Sequence, residues 1–87
     1  MDLNITFTQK IAIIQVVSQM ILNDQRFTFD VKSELLVQLN KNLNFSNSDY
    51  PELHKMSPPQ AISTFESLSA QNKSAIALML KEMTNRY

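Results

Sequence analysis

The residues with the clearest potential for chemistry are three carboxylates, Asp24, Asp30 and Glu34, in the segment NDQRFTFDVKSE. Counted from Asn23, Glu34 falls at position 12, where an EF-hand loop places its bidentate calcium ligand. Position 5 of that loop is Phe27, however, and the position reserved for glycine is a threonine. Because a phenyl ring offers calcium no oxygen, the segment predicts no EF-hand. A looser divalent-cation site, with the three carboxylates as metal ligands, is left open.

The alternative interpretation of the same carboxylates is structural. A carboxylate in the first turn of a helix is stabilised by the helix dipole, so Asp30 can complement the helix that follows it. Asp24 and Glu34 are then solvated side chains. Calorimetry with calcium, magnesium and zinc distinguishes the two interpretations.

His54, the single histidine, is the obvious candidate for acid–base catalysis because its ordinary pKa lies near neutrality. Glu52 and Ser57 lie near it in the chain, but this combination occurs by chance in many loops. The sequence has no cysteine and no glycine, which excludes thiolate metal sites, disulfides and glycine-rich phosphate loops. We therefore expect no catalytic residue, no cofactor and no enzymatic activity.

Charge is balanced and dispersed, with eight acidic and eight basic residues spread along 87 positions. Nucleic-acid binding normally depends on a concentrated basic face, so we expect no nucleic-acid partner. A small helix-turn-helix DNA-binding protein, with the second or fourth helix as reader, is the less favoured alternative. The beginning of the chain lacks a basic region before an apolar run, and the apolar-rich segment 11–22 is interrupted by polar residues. We expect a cytoplasmic protein without membrane insertion.

Four main helices must position these residues. Without glycine, tight turns of a sheet are disfavoured, whereas helical hairpins can turn on Asn, Ser and Pro. The spacing of apolar residues and N-cap candidates predicts where each helix begins and ends. The first covers about 7–22 behind Thr6, the second about 29–43 behind Thr28, and the fourth about 70–85 behind Ser69. The third starts at Pro58 behind Ser57, with Gln60 completing a capping box. A short helix with Pro51 in its first turn is added. The predicted fold is all-α, one domain over residues 1–87, a compact bundle of four main helices plus one short helix.

The apolar positions predict how the helices pack. Those of the first helix cover more than half its circumference, which is typical of a central helix with several neighbours. The second helix has a single apolar stripe, and Phe45 is expected to anchor the following loop in the core. The predicted buried residues of the second to fourth helices are Val31, Leu35, Leu36, Leu39, Leu43, Ala61, Ile62, Phe65, Leu68, Ala75, Ile76, Met79, Leu80 and Met83.

Segments 10–20 (KIAIIQVVSQM) and 73–83 (KSAIALMLKEM) resemble each other at an offset of 63 positions. The identical pairs are Lys10 with Lys73, Ala12 with Ala75, Ile13 with Ile76 and Met20 with Met83. Either the two helices are related by duplication, or two buried helices have converged on similar residues.

The order of these signals resembles the TerB-like helical family, named for tellurite-resistance proteins. The resemblance lies in MILNDQRF closing the first helix, Glu34-Leu35-Leu36 in the second, and LHKMSPPQAI followed by LSAQNKSAIALMLKEM. It implies a pseudo-duplicated helical unit whose first helix and a later related helix pack at the centre. The chain corresponds to a shortened form lacking the C-terminal part of the family domain.

The resemblance also implies a function and a site. Family members are associated with an acidic turn after the first helix that binds divalent cations or contacts partner proteins. Asp24 stands at the position of the family's aspartate, Gln25 replaces its glycine, and Asp30 and Glu34 are the nearby acids. We expect a non-catalytic module that acts through protein–protein contacts, in a bacterial stress-response system like that of tellurite resistance. Divalent-cation binding through the acidic cluster is the alternative.

Five methionines either fill the core or form an adaptable binding surface. A small chain with two helices that are apolar over half their circumference must also cover those faces. We therefore expect an apolar face of the first or last helix to contact a protein partner or a second copy of the chain.

Overall fold

Helix α1 (Phe7–Leu22) runs through the centre of the molecule. In the computed structural model, which describes residues 4–87, it is followed by α2 (Phe29–Asn42), a 3-10 turn (Asn47–Asp49), α3 (Tyr50–Leu53), α4 (Pro58–Glu66) and α5 (Ala70–Thr84). No strand occurs in this part of the chain. The fold is all-α, with four main helices and one short helix, as the sequence predicts.

The start of α1 is held by a capping box. The Thr6 hydroxyl accepts a hydrogen bond from the Gln9 backbone N–H at 3.1 Å, and the Gln9 side chain accepts one from the Thr6 N–H at 2.9 Å. Four consecutive residues, Ile11 to Ile14, are buried. Since successive residues of a helix differ by about 100°, four of them cover most of its circumference, so α1 is enclosed on nearly every side.

Helix α2 begins at its predicted N-cap, Thr28, and ends in a Schellman motif. The Phe45 N–H donates to the Asn40 carbonyl at 2.8 Å, and the Asn44 N–H donates to the Lys41 carbonyl at 3.2 Å. Asn44 has a φ of 54°, the left-handed conformation that glycine usually supplies. This turn aims Phe45 into the core, where it is buried and packs edge-on to Tyr50.

The largest fully buried side chains of the core come from three helices. They are Ile13, Val17, Leu35, Leu39 and Ile76, from α1, α2 and α5. Each buried aliphatic side chain of this size contributes about 1.5–3 kcal/mol relative to exposure. The interior therefore combines residues from the beginning and the end of the chain.

Helix α4 packs more extensively against α1 than any other helix does. Ser57 caps α4 by accepting from the Gln60 N–H at 3.3 Å, and Pro58 occupies its first turn. The predicted reciprocal bond from the Gln60 side chain does not form. Ala61 is buried as predicted, but Ile62 is 51% exposed, because it projects about 100° round the helix from Ala61. The prediction that Ile62 is buried is wrong.

Three polar side chains form hydrogen bonds between α1 and the segments that pack around it. The Gln15 amide donates to the Leu53 carbonyl at 3.0 Å and to the Met56 carbonyl at 2.6 Å, which fixes the end of α3. Lys10 donates to the Asn44 carbonyl at 3.3 Å. Lys32 donates to the Leu22 carbonyl at 2.7 Å, where a cation complements the C-terminus of α1.

Helices α1 and α5, which carry the repeated sequence, occupy different positions. Both contribute to the core, but no Cα atom of α1 lies within 8 Å of a Cα atom of α5. Helix α5 buries one stripe, Ile76, Met79 and Met83, and exposes Leu78. The expectation that both related helices lie at the centre is met by α1, whereas α5 lies at the periphery.

Candidate functional site

Asp24 lies in the turn after α1, and its carboxylate is occupied by Arg26. Arg26 Nε donates to Asp24 Oδ1 at 2.9 Å, Nη2 donates to Oδ2 at 2.6 Å, and the Arg26 backbone N–H donates to Oδ1 at 3.0 Å. These hydrogen bonds lower the pKa of Asp24 from 3.8 to about 2. The carboxylate is therefore ionised at neutral pH, with both oxygens engaged by a cation of the chain itself.

Asp30 and Glu34 lie one turn apart on α2, and both are exposed. Asp30 is in the first turn of α2, the position that the structural interpretation assigns to it. Glu34 interacts with the Tyr87 hydroxyl and thereby raises the pKa of Tyr87. The two acids of α2 thus have surroundings different from those of Asp24.

The structure does not gather the three carboxylates into a metal-ligand group. Within residues 4–87, no set of three or more His, Asp or Glu side chains is close enough to hold a metal ion. The cation site built from Asp24, Asp30 and Glu34 stays a prediction. Heat released on titration with calcium, magnesium or zinc, and lost in Asp24→Asn, would support it.

His54 is the C-cap residue of α3 and is exposed. Its two sequence neighbours with catalytic potential have other partners: Glu52 accepts from Lys55 at 3.0 Å, and Ser57 caps α4. His54 borders a groove of mixed lining that also includes Gln15 and Met56. The structure thus places no orienting carboxylate and no nucleophile of residues 4–87 in a hydrogen bond with the imidazole.

The two helices considered as DNA readers carry few basic residues. Helix α5, the fourth of the main helices, has Lys73 and Lys81. Helix α2 has Lys32 and Lys41, and the Lys32 ammonium is bound to the Leu22 carbonyl. The arrangement offers no clustered charge for phosphate contacts along either helix.

An apolar groove lies between the C-terminal halves of α1 and α5. This α1–α5 groove has a volume of about 210 Å³. Its apolar lining residues are Val17, Met20, Ile21, Phe27 and Leu80, and its polar ones are Asp24, Arg26, Lys81 and Thr84. The groove lies where side chains of α1, of α5 and of the turn after α1 meet.

Met20 lies at the solvent-exposed edge of the groove. Met20 is 56% exposed, whereas Met83, its counterpart in the repeat, is buried at 4%. The Asp24–Arg26 pair lines the groove in the turn that carries Phe27, and the Arg26 guanidinium lies 5.5 Å from the Phe27 ring centroid. A flexible thioether beside a fixed ion pair is suited to accept an apolar side chain of a partner.

The turn after α1 can be recognised from the sequence, whereas the groove cannot. The acidic residue of NDQRF stands out in the pattern, and the adjoining apolar helix faces predict a contact. The sequence contains one signal for the groove, which is Phe27. This aromatic residue lies between polar turn residues and the N-cap of α2, so it must pack against side chains at the end of α1.

The chain was compared with protein-family models, with curated proteins and with solved structures, and no match was found in any of the three. The TerB-like assignment consequently stays a prediction from the sequence. Among residues 4–87, no helix combines the length and the apolar character needed to cross a bilayer.

Proposed function

We propose that this protein is a non-catalytic helical module that acts through protein–protein contact, with the α1–α5 groove as its contact site. The observation that supports the proposal most directly is Met20, a large apolar side chain that is 56% exposed at the edge of an apolar groove. Methionine at such a position adapts its shape to the side chain that it receives.

The chemistry of the groove specifies the kind of partner segment. Its apolar floor of Val17, Ile21 and Leu80 accepts one or two aliphatic or aromatic side chains. Lys81 and the Asp24–Arg26 pair at the edge provide polar groups that orient the segment around this anchor. An amphipathic helix of a partner, with an apolar anchor flanked by polar residues, meets both requirements.

The resemblance to the TerB-like family supports a setting for this contact. We place the module in a bacterial stress-response system similar to that of tellurite resistance. The acidic turn that the resemblance associates with cations or partner contacts lines the groove, so in our proposal it serves the protein contact.

The proposal is tested by comparing two variants with matched changes. Met20→Glu places a charge in the groove, whereas Leu78→Glu places the same charge on α5 at a side chain of similar exposure (53%) that does not line the groove. Both side chains are exposed, so both variants are expected to fold, which circular dichroism checks.

The readout is a photo-crosslinking group introduced at position 81, at the edge of the groove, in cells of the source organism. We expect one dominant cross-linked protein, retained in the Leu78→Glu background and lost in the Met20→Glu background. An equal effect of both charges, or an unchanged yield with Met20→Glu, would refute the groove as the contact site.

A further inference from the structure

A second apolar surface lies on α2, away from the α1–α5 groove. Among residues 4–87, Phe29 and Val37 are the two most exposed large apolar side chains, at 80% and 65%. They lie four residues on either side of Ser33, which is also exposed. Residues at this spacing form one surface ridge of a helix. Phe29, Ser33 and Val37 are called the α2 ridge below.

Helix α2 has a separate face that packs into the core, so the exposure of the α2 ridge does not reflect a missing buried face. Leu35 and Leu39 of the same helix are fully buried, so the inner face of α2 is already satisfied. Burying an exposed Phe and Val contributes about 1.5–3 kcal/mol per side chain. The ridge is thus an independent surface whose burial requires another molecule.

The shape of the ridge complements itself. When two α2 helices pack antiparallel about a two-fold axis midway between Ser33 and Val37, each Val37 enters the space above the small Ser33 of the other copy. Ridge-into-groove packing of this kind is the common way for two helices to cross. A two-fold interface requires a patch that fits against its own copy. In the α2 ridge the large Val37 of each copy meets the small Ser33 of the other, so the same contact forms twice.

Charge on α2 favours the same orientation. Asp30 lies in the first turn and Lys41 in the last, and both are exposed. In the antiparallel pair, Asp30 of one copy lies beside Lys41 of the other, and Phe29 lies over the apolar stem of that lysine. A parallel pair sets Asp30 against Asp30 and Lys41 against Lys41. The formal net charge is zero, so two copies approach without overall repulsion.

We infer that the α2 ridge binds a second copy of this chain, in an antiparallel two-fold dimer. This surface is separate from the α1–α5 groove, so the dimer presents two grooves to partners. The inference does not depend on the function proposed for the groove.

Sedimentation equilibrium from about 10 to 500 µM is the first test. We expect the mass to rise from 10.0 kDa towards twice that value, with dissociation constants in the micromolar range typical of a small interface. Phe29→Glu and Val37→Glu should each weaken the dimer by about tenfold or more. Leu78→Glu, an equal charge at an exposed apolar position of α5, should leave it unchanged.

Orientation is tested with single cysteines, since the natural chain contains none. Asp30→Cys and Lys41→Cys proteins, oxidised together at about 200 µM, should form the mixed disulfide in preference to either homodimer. In the antiparallel pair, two copies of position 30 are offset by about ten residues, about 15 Å along the helix, and cannot be bridged.

Each outcome decides the inference. A 10.0 kDa species throughout the concentration range overturns it, as does a dimer that Phe29→Glu and Val37→Glu leave intact. If either single-cysteine variant forms a disulfide with a second copy of itself in preference to the mixed disulfide, the antiparallel arrangement is overturned. If the dimer forms but Met20→Glu leaves the cross-linking yield at position 81 unchanged, only the groove proposal is refuted, so the two failures are distinguishable.

Discussion

Helices α1 and α5 share a sequence pattern but not an environment. Helix α1 buries four consecutive residues and is enclosed by α2, α3 and α4. Helix α5 buries only one stripe, Ile76, Met79 and Met83. Within residues 4–87, α2 is the only helix whose backbone approaches α5 within 8 Å. The same residue types therefore give a central helix in one place and a peripheral one in the other, because the neighbours decide how many faces are covered.

The similarity extends beyond the segments that first show it. At the same offset of 63, Thr6 matches Ser69 and Gln9 matches Asn72, and each hydroxyl accepts the N–H three residues later at 3.1 Å. The repeated unit thus includes its cap. Only α1 completes the capping box, since the Asn72 amide instead donates to the Asn4 carbonyl at 3.3 Å.

The largest expected effect comes from placing one charge at matched positions of the two helices. Ile14 is 2% exposed, and its counterpart Ala77 is exposed. Ile14→Asp buries an unpaired carboxylate, which costs several kcal/mol and prevents stable folding of a domain of this size. Ala77→Asp should cost less than about 1 kcal/mol. Urea denaturation measures both, and similar losses would remove the distinction between central and peripheral helix.

An exchange of matched residues has the next largest effect. Gln15→Leu leaves the Leu53 and Met56 carbonyls without their donor, and we expect a loss of about 1–3 kcal/mol. At the counterpart position, Leu78→Gln replaces an exposed side chain and should change stability by less than about 0.5 kcal/mol. Thermal denaturation compares the two, and a neutral Gln15→Leu would show that the bonds to α3 contribute nothing.

The two caps sharpen the comparison at a smaller scale. Thr6→Ala and Ser69→Ala each remove one capping bond, at a cost of about 0.5–2 kcal/mol. Because α1 is central, Thr6→Ala should lower the global free energy of unfolding. Ser69→Ala should mainly increase hydrogen exchange in the first turn of the peripheral α5. The reverse assignment of global and local effects would contradict the comparison.

The smallest effects are expected at the two helix ends, which respond to opposite limits of pH. Asp24, after α1, has a pKa lowered to about 2 by Arg26. Its contribution is present above the ordinary pKa of 3.8 and is lost as pH falls through about 2. Tyr87, after α5, has a pKa raised by Glu34. Its contribution is present below the ordinary pKa of about 10 and is lost as pH rises through the raised value.

Urea midpoints from about pH 2 to 5 and from about pH 9 to 11 measure these slopes. Asp24→Asn should flatten the acid limb only, and Tyr87→Phe the alkaline limb only. High salt should reproduce part of the Asp24→Asn effect, since the Asp24–Arg26 pair lies at the surface. Unchanged slopes in both variants would mean that neither contact stabilises the fold.

The helices were predictable because their signals are local. Thr6, Thr28, Ser57 and Ser69 each accept the expected N–H, so capping residues and apolar spacing together defined where each helix begins. The prediction for Ile62 is wrong because its burial depends on which side of α4 faces α1. That orientation is not contained in the periodicity of α4.

The candidate site was less predictable for a related reason. Asp24 could be recognised as a notable residue of the turn, but its pairing with Arg26 depends on the turn geometry. The groove is formed by two helices that are distant in sequence. Properties that arise from the spacing between elements do not appear in the pattern of any one element.

The enclosure of α1 by later helices has a consequence for synthesis on the ribosome. Its principal neighbour, α4, ends 44 residues further along the chain. At translation rates of roughly 5–20 residues per second, α1 waits on the order of seconds before that neighbour is made. During this interval its apolar circumference is open to chaperones and to other nascent chains, so aggregation during expression should depend more on α1 than on any other segment.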